Sequence, residues 1–129
     1  MSDSQAGSDV FAMKLKGEKV EGGYKLNGTK MWISNGPCAD TIIVYARTAE
    51  HKTMGITAFI VENTFPGFSQ AQKLDKFGIR GADTGELVFD NVFVPDENIL
   101  GPENGGAYVM MRGLNSERLL ISSAPVGVM

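Results

Sequence analysis

Glu117 is a lone carboxylate inside an apolar helix pattern. In MRGLNSERLLISSAPVG, residues 111–127, it is flanked by Leu114, Ile121 and Ala124, with Met110 just before the stretch. These fall at steps of three and four, the spacing of one helix face. Three and four residues either way stand Gly113, Leu114, Leu120 and Ile121, so no local Lys or Arg pairs with it. A carboxylate on an apolar stripe costs free energy unless something uses it. Two readings stand at this point: a solvated side chain on a helix that is apolar nearly all round, or a working base. The stretch MWIS, residues 31–34, is the second place where chemistry is possible. It offers an indole at Trp32, a backbone N–H and a hydroxyl at Ser34. Trp32 also reads as a core aromatic, and AGSD at 6–9 as an ordinary loop. Cys38 and His51 are the only residues of their kinds. They make neither a disulfide framework nor a zinc site, so no metal is expected, and they are a poor nucleophile pair.

The elements that must position these groups are mostly strands. VFAMKLKGEKV alternates loosely, with Phe11, Met13 and Leu15 on one side. EGG at 21–23 turns the chain into YKLNGTKMWIS, and Asn27-Gly28 inside that run predicts a tight hairpin. DTIIVYART and MGITAFIVEN are rich in β-branched and aromatic residues, as buried strands are. FPGF reads as a turn, and GELVFDNVFVP as a further strand pair closed by Pro95. Dense strands with Gly-rich turns and no intervening helix predict a mainly β fold, an antiparallel two-sheet sandwich or barrel. The character changes at GPENGGAYVMM, a breaker-rich joint. A helix follows, with Pro125 as a kink or stop. Its apolar stripe has no partner helix in the chain, and the start is equally abrupt. Both features suggest a piece of a longer protein.

The chain has 129 residues, enough for one real core. Its net charge is −3, with Lys and Arg scattered, so no basic face is expected for nucleic acid. Apolar runs such as TIIVYA are far shorter than the roughly 20 residues a membrane span needs. MSDSQAGSDV lacks the basic start and apolar middle of a signal peptide, so the NGT sequon at 27–29 reads as a turn rather than a glycosylation site.

Three stretches in order carry a resemblance. They are MSDSQAGSDVFA at the start, KMWISNG after the Asn-Gly step, and KFGIRGADTGELVFDNVFVP before the helix. Together they resemble the middle β-domain of the acyl-CoA dehydrogenases, flavin enzymes that oxidise acyl thioesters. Met1, Ser2, Ala6, Gly7, Ser8 and Asp9 match the family's opening signature, while Asp3 stands where the family has Glu and Ser4 where it has Pro. The resemblance runs the whole length. It implies that residues 1–103 form the middle β-domain and that 104–129 open the C-terminal helical domain.

The cofactor implied is FAD, contacted by Met1, Ser2, Gly7, Ser8, Trp32, Ile33 and Ser34. By similarity Trp32 lies near the ring and Ser34 bonds its reactive edge. No G-x-G-x-x-G follows a strand, so a Rossmann mode is not indicated. Most of the family carries its base near the C-terminus. The isovaleryl-CoA and long-chain branches place a Glu-Arg pair on the helix after the β-domain, where this chain has Glu117-Arg118. The resemblance therefore implies Glu117 as catalytic base. It adds Ser8, Tyr108, Asn115, Ser116 and Arg118 as substrate contacts. Tyr108 precedes Glu117 by nine residues, about 180° around an ideal helix. Thr53 and Met54 lie where some members touch CoA.

The closest branch is the isovaleryl-CoA one, which implies a short branched acyl-CoA of leucine catabolism as substrate. It also implies electron-transfer flavoprotein as acceptor, a homotetramer, and the mitochondrial matrix. A long-chain dehydrogenase, an acyl-CoA oxidase and a non-catalytic β-module remain as alternatives.

Overall fold

The computed structural model describes residues 1–51 and 53–129. Lys52, in the 50–54 loop, lies outside them. Six strands follow in chain order: β1 Lys16–Val20, β2 Gly23–Ser34, β3 Thr41–Arg47, β4 Ile56–Glu62, β5 Phe68–Lys73 and β6 Thr84–Pro95. Two helices close the chain, α1 Gly106–Ile121 and α2 Ser123–Val128. The fold is mainly β, as expected. The two-sheet expectation is replaced by one six-stranded sheet, in the order β4-β3-β1-β2-β6-β5. It is not closed into a barrel, and it is not wholly antiparallel.

The reason lies in one junction. β1 meets β3 through a parallel bridge, Lys16 opposite Arg47, reinforced by the Arg47 N–H donating to the Leu15 carbonyl at 2.8 Å. That bridge joins the β3–β4 hairpin to the other four strands. The sheet then folds over its own core. β2 and β4 stand three places apart, about 14 Å in a flat sheet. Yet the rings of Tyr24 and Phe59, on those strands, are 5.1 Å between centroids and edge-on. Leu15, Leu26, Val44, Val61, Leu87, Phe89, Val92 and Val94 fill the same core.

The Asn27-Gly28 hairpin does not form. β2 runs straight through it for 12 residues, and the chain turns at Glu21-Gly22 instead, with Gly22 at φ 76°. Both flanks of Asn27-Gly28 pair with β6, Leu26 with Val92 and Gly28 with Phe89, so long-range pairing outweighs the local turn preference. Gly28 is required by close approach, because a Cβ there meets the Leu15 Cα at 3.2 Å. GELVFDNVFVP is likewise one strand and not a pair. Asp90 and Asn91 together oppose Asn27 as a bulge. Phe11 sits in a 3-10 turn, Val10–Ala12, ahead of the first strand, whereas Met13 and Leu15 are buried as read. FPGF turns as expected, with the Phe68 N–H donating to the Phe65 carbonyl at 3.1 Å.

A second core lies on the outer face of β3 and β4. Met13, Tyr45, Ile56, Ala58 and Met110 form it, with Met1, Val10, Val109 and Leu114 packed around them. The N-terminal segment and the first half of α1 are therefore seated side by side on one strand pair. Residues 99–105 run along β4, with the Leu100 N–H on the Ala58 carbonyl at 2.9 Å and bridges Phe59–Ile99 and Ile56–Gly105. They cover what would otherwise be a bare sheet edge. The helix breaks at Ser122, before Pro125, whose ring has no room against the carbonyl four residues back.

Candidate active site

The opening residues are held by a buried ion pair. Asp3 makes a two-way backbone turn with Ala6, at 3.0 and 3.2 Å. Its Oδ1 meets the Lys30 ammonium at 2.7 Å, and both side chains are almost wholly withdrawn from solvent. Its Oδ2 accepts the backbone N–H of Lys14 and, at 3.4 Å, that of Leu15. Lys30 also donates to the Met1 carbonyl at 3.1 Å. Burial pushes the Lys30 ammonium below the usual lysine range, and the Asp3 carboxylate opposes that shift. One step along β2, the Met31 N–H donates to the Ser2 carbonyl at 3.0 Å.

The ladder breaks immediately after Lys30. Met31 and Trp32 together oppose Glu86, between the pairs Lys30–Leu87 and Ile33–Gly85. Trp32 is left at φ 64°, a backbone region that bulky residues rarely occupy. Its side chain is 61% exposed, so Trp32 is not a core aromatic. Ile33 packs on the main core, and Ser34 ends β2 exposed to solvent. Gly7 and Ser8 are exposed, with open space beside the Gly7 backbone.

Helix α1 is registered at its start. The Asn104 N–H donates to the Thr57 hydroxyl at 2.9 Å, and the Asn104 side-chain carbonyl accepts from Thr48 at 2.8 Å. Gly106 lies so close to β4 that a Cβ would be 2.8 Å from the Ile56 carbonyl. Met110 is buried and Leu114 half-buried, so the predicted stripe holds for two turns. Beyond that it runs into solvent: Ile121 is exposed, and so are Asn115, Ser116, Glu117 and Arg118. Glu117 stands one helix turn beyond Leu114, which packs on the same apolar cluster as Met1.

Met1 and Ser2 are thus brought against Lys30 and Met31, and the helix that carries Glu117 packs on the cluster that holds Met1. α1 is unbroken from Gly106 to Ile121, so Tyr108 faces away from Glu117 and lies beside Arg112, whose guanidinium is 5.9 Å from its ring. Thr53 and Met54 are exposed, and their N–H groups donate to the His51 imidazole. Sequence reasoning missed Lys30 and its role with Asp3. A signal was present: Tyr24, Leu26, Gly28 and Lys30 share one parity along β2, which puts a lysine on the core face.

Residues 1–92 match the profile described as acyl-CoA dehydrogenase, middle domain. The chain belongs to the acyl-CoA dehydrogenase family. It is 59% identical over 130 residues to 2-methylacyl-CoA dehydrogenase, mitochondrial, of Solanum tuberosum, and covers 32% of that protein. It is equally 59% identical, with the same coverage, to isovaleryl-CoA dehydrogenase, mitochondrial, of Oryza sativa subsp. japonica. Both alignments span 100% of this chain. The chain therefore spans about a third of the length of these relatives. Among solved structures, an acyl-CoA dehydrogenase from Geobacillus kaustophilus superposes with a TM-score of 0.89 at 39% identity, over 94% of this chain and 33% of that one. A glutaryl-coenzyme A dehydrogenase in complex with glutaryl-CoA gives 0.87 at 43%, over 92% and 30%.

The acyl-CoA dehydrogenase residues present here fit a flavin on their own chemistry. A flat heteroaromatic ring needs an aromatic or strand wall, polar donors at its edge, and backbone that it can approach closely. The exposed Trp32 bulge, the exposed Ser34 and the open backbone at Gly7 are groups of these kinds. Among the described residues no cluster of His, Cys, Asp and Glu could hold a metal, and no helix is long and apolar enough to cross a membrane.

Proposed function

We propose that this chain is the flavin- and substrate-contacting middle portion of an FAD-dependent acyl-CoA dehydrogenase acting on a short branched acyl thioester, isovaleryl-CoA. The observation that carries the reading is the strained, exposed Trp32 bulge, held beside Met1 and Ser2, with Met1 on the same apolar cluster as Leu114, one helix turn before Glu117. Met1, Ser2, Gly7, Ser8, Trp32, Ile33 and Ser34 would hold the flavin. When bound, FAD supplies a two-electron acceptor for the hydride leaving the substrate β-carbon.

Glu117 is the general base. One of its carboxylate oxygens takes the α-proton, and the electron pair of that C–H bond becomes the new α,β double bond as the β-hydride departs. A base of this kind works best when partly dried. Glu117 is exposed on this chain, so its cover comes from the acyl chain and from protein outside residues 1–129. Ser8, Asn115, Ser116 and Arg118 line the approach of the thioester, and Tyr108 meets only a part of the ligand that runs past the helix. Residues 1–103 act as the middle domain, and 104–129 as the entry to a helical one. Electron-transfer flavoprotein as acceptor, a tetramer and the mitochondrial matrix complete the proposal. The last has support in relatives named as mitochondrial.

A second reading has a specific observation behind it. The 2-methylacyl-CoA relative is as similar as the isovaleryl-CoA one, so branching at the α-carbon fits equally well. The test is anaerobic flavin absorbance of the full-length protein with each thioester. Rapid bleaching by isovaleryl-CoA and slow bleaching by a 2-methylacyl-CoA supports the first reading. The reverse order supports the second. No bleaching by either overturns both.

A further inference from the structure

We propose that the buried Asp3–Lys30 ion pair is a positioning latch that locks the Met1–Ser2 segment onto the Met31–Trp32 bulge and so sets the geometry of the flavin site. The proposal rests on the flavin reading above. Lys30 occupies a core-facing position of β2, opposite Leu87, where an apolar side chain would be the plain choice. Stability alone does not explain a buried ion pair, since well-packed apolar residues commonly do as well or better. The remaining contacts of the pair explain it. Asp3 receives the N–H groups of Lys14 and Leu15, and Lys30 donates to the Met1 carbonyl. Residues 1–3, 14–15 and 30 therefore converge on two charges.

The next residue along completes the device. The Met31 N–H is free of the β6 ladder because the bulge begins there, and it donates to the Ser2 carbonyl at 3.0 Å. Trp32, at φ 64°, directly follows that bond. A bulky residue stays in this region only when its surroundings over-determine it. Here the over-determination is the latch on one side and the resumed pairing of Ile33 with Gly85 on the other. Asp3 and Lys30 touch neither substrate nor ring. They act through Ser2 and Trp32.

The experiment uses the full-length protein with four changes: Asp3→Asn, Lys30→Met, the double Asp3→Leu/Lys30→Met, and Lys30→Arg. Three quantities are read: FAD affinity, the visible circular dichroism of bound flavin, and hydrogen exchange at the Met31 amide without FAD. Each neutralising single change should weaken FAD at least about tenfold and speed Met31 exchange more than exchange at Leu26. The double change should recover thermal stability but keep the weak FAD binding, altered dichroism and fast Met31 exchange. Parent affinity and dichroism in the double variant would overturn the latch. Should the double variant not fold, Lys30→Arg decides. It keeps the charge, so affinity, dichroism and Met31 exchange close to the parent's are expected, and losses as large as in Lys30→Met would equally overturn the latch. If the parent binds no FAD, the flavin reading fails, while Met31 exchange still judges the latch.

Discussion

The side-chain carbonyl of Asn27 accepts the backbone N–H of Asn91 at 2.9 Å, and its side-chain amide donates to the Asn91 side-chain Oδ1 at 3.3 Å. These two bonds span the point where β6 carries an extra residue and the ladder would otherwise be open. Asn91 sits at φ 52°, which asparagine tolerates better than most residues. The side chain that looked like half of a turn is a patch over a bulge.

Asn27→Ala should therefore cost about 1 kcal/mol, the usual worth of a lost hydrogen bond of this kind. Gly28→Val should cost more, roughly 1–3 kcal/mol, from its left-handed backbone and its contact with Leu15. Urea midpoints of the two variants against the parent check both. A larger loss for Asn27→Ala than for Gly28→Val would contradict the bulge assignment.

Gly106 sets how closely α1 lies on β4. Gly106→Val should lift the first turn and cost about 1–3 kcal/mol, as overpacking does. In the full-length protein it should also lower turnover, because Glu117, the proposed base, rides on the same helix. Tyr108→Ala, on the opposite side, should leave stability within about 0.5 kcal/mol. Thermal unfolding with paired rate measurements separates the two.

Glu117→Gln keeps shape and removes the proposed base. Turnover of isovaleryl-CoA should fall by about 10²–10⁴-fold, with FAD still bound. Stopped-flow bleaching of the flavin measures this directly. Turnover within twofold of the parent would place the base elsewhere.

Tyr24 carries a pH signature. Its hydroxyl is buried, bonded to Glu103, and pushed up out of the usual tyrosine range, first by burial and then by that carboxylate. The folded state thus keeps a proton that the unfolded state releases near pH 10. The resulting stability is fully present below about pH 10 and declines as pH rises above it. Lys30 acts in the opposite sense, since its folded form gives up its proton earlier than the unfolded one. The comparison is therefore between variants: Tyr24→Phe should lose less melting temperature than the parent between about pH 9 and pH 11. Equal losses would assign the alkaline transition to another group.

Much of the candidate site was proposed from the residues themselves. Glu117 stood out by helical spacing alone, and Met110 and Leu114 pack as that spacing requires. Trp32, Ser34 and the AGSD loop were marked by their order along the chain. The strand content was legible because β-branched and aromatic residues cluster between glycines. Lys30 was passed over because a lysine in a strand reads as solvent-facing until its parity with Leu26 is counted.

The sequence by itself determined the element types, the helix and its carboxylate, and the family, since all of these depend on local chemistry and on the order of motifs. The tertiary structure alone decided three other things. It carried β2 through Asn27-Gly28, because β6 offered hydrogen bonds on both sides of a step that in isolation would turn. It made one folded sheet where two were expected, because a single parallel bridge, Lys16 to Arg47, tied the halves together. It also turned Asp3 and Lys30, 27 positions apart, into a buried pair, since the cost of burying either charge is partly offset only where the chain brings its partner to hydrogen-bond distance, here 2.7 Å.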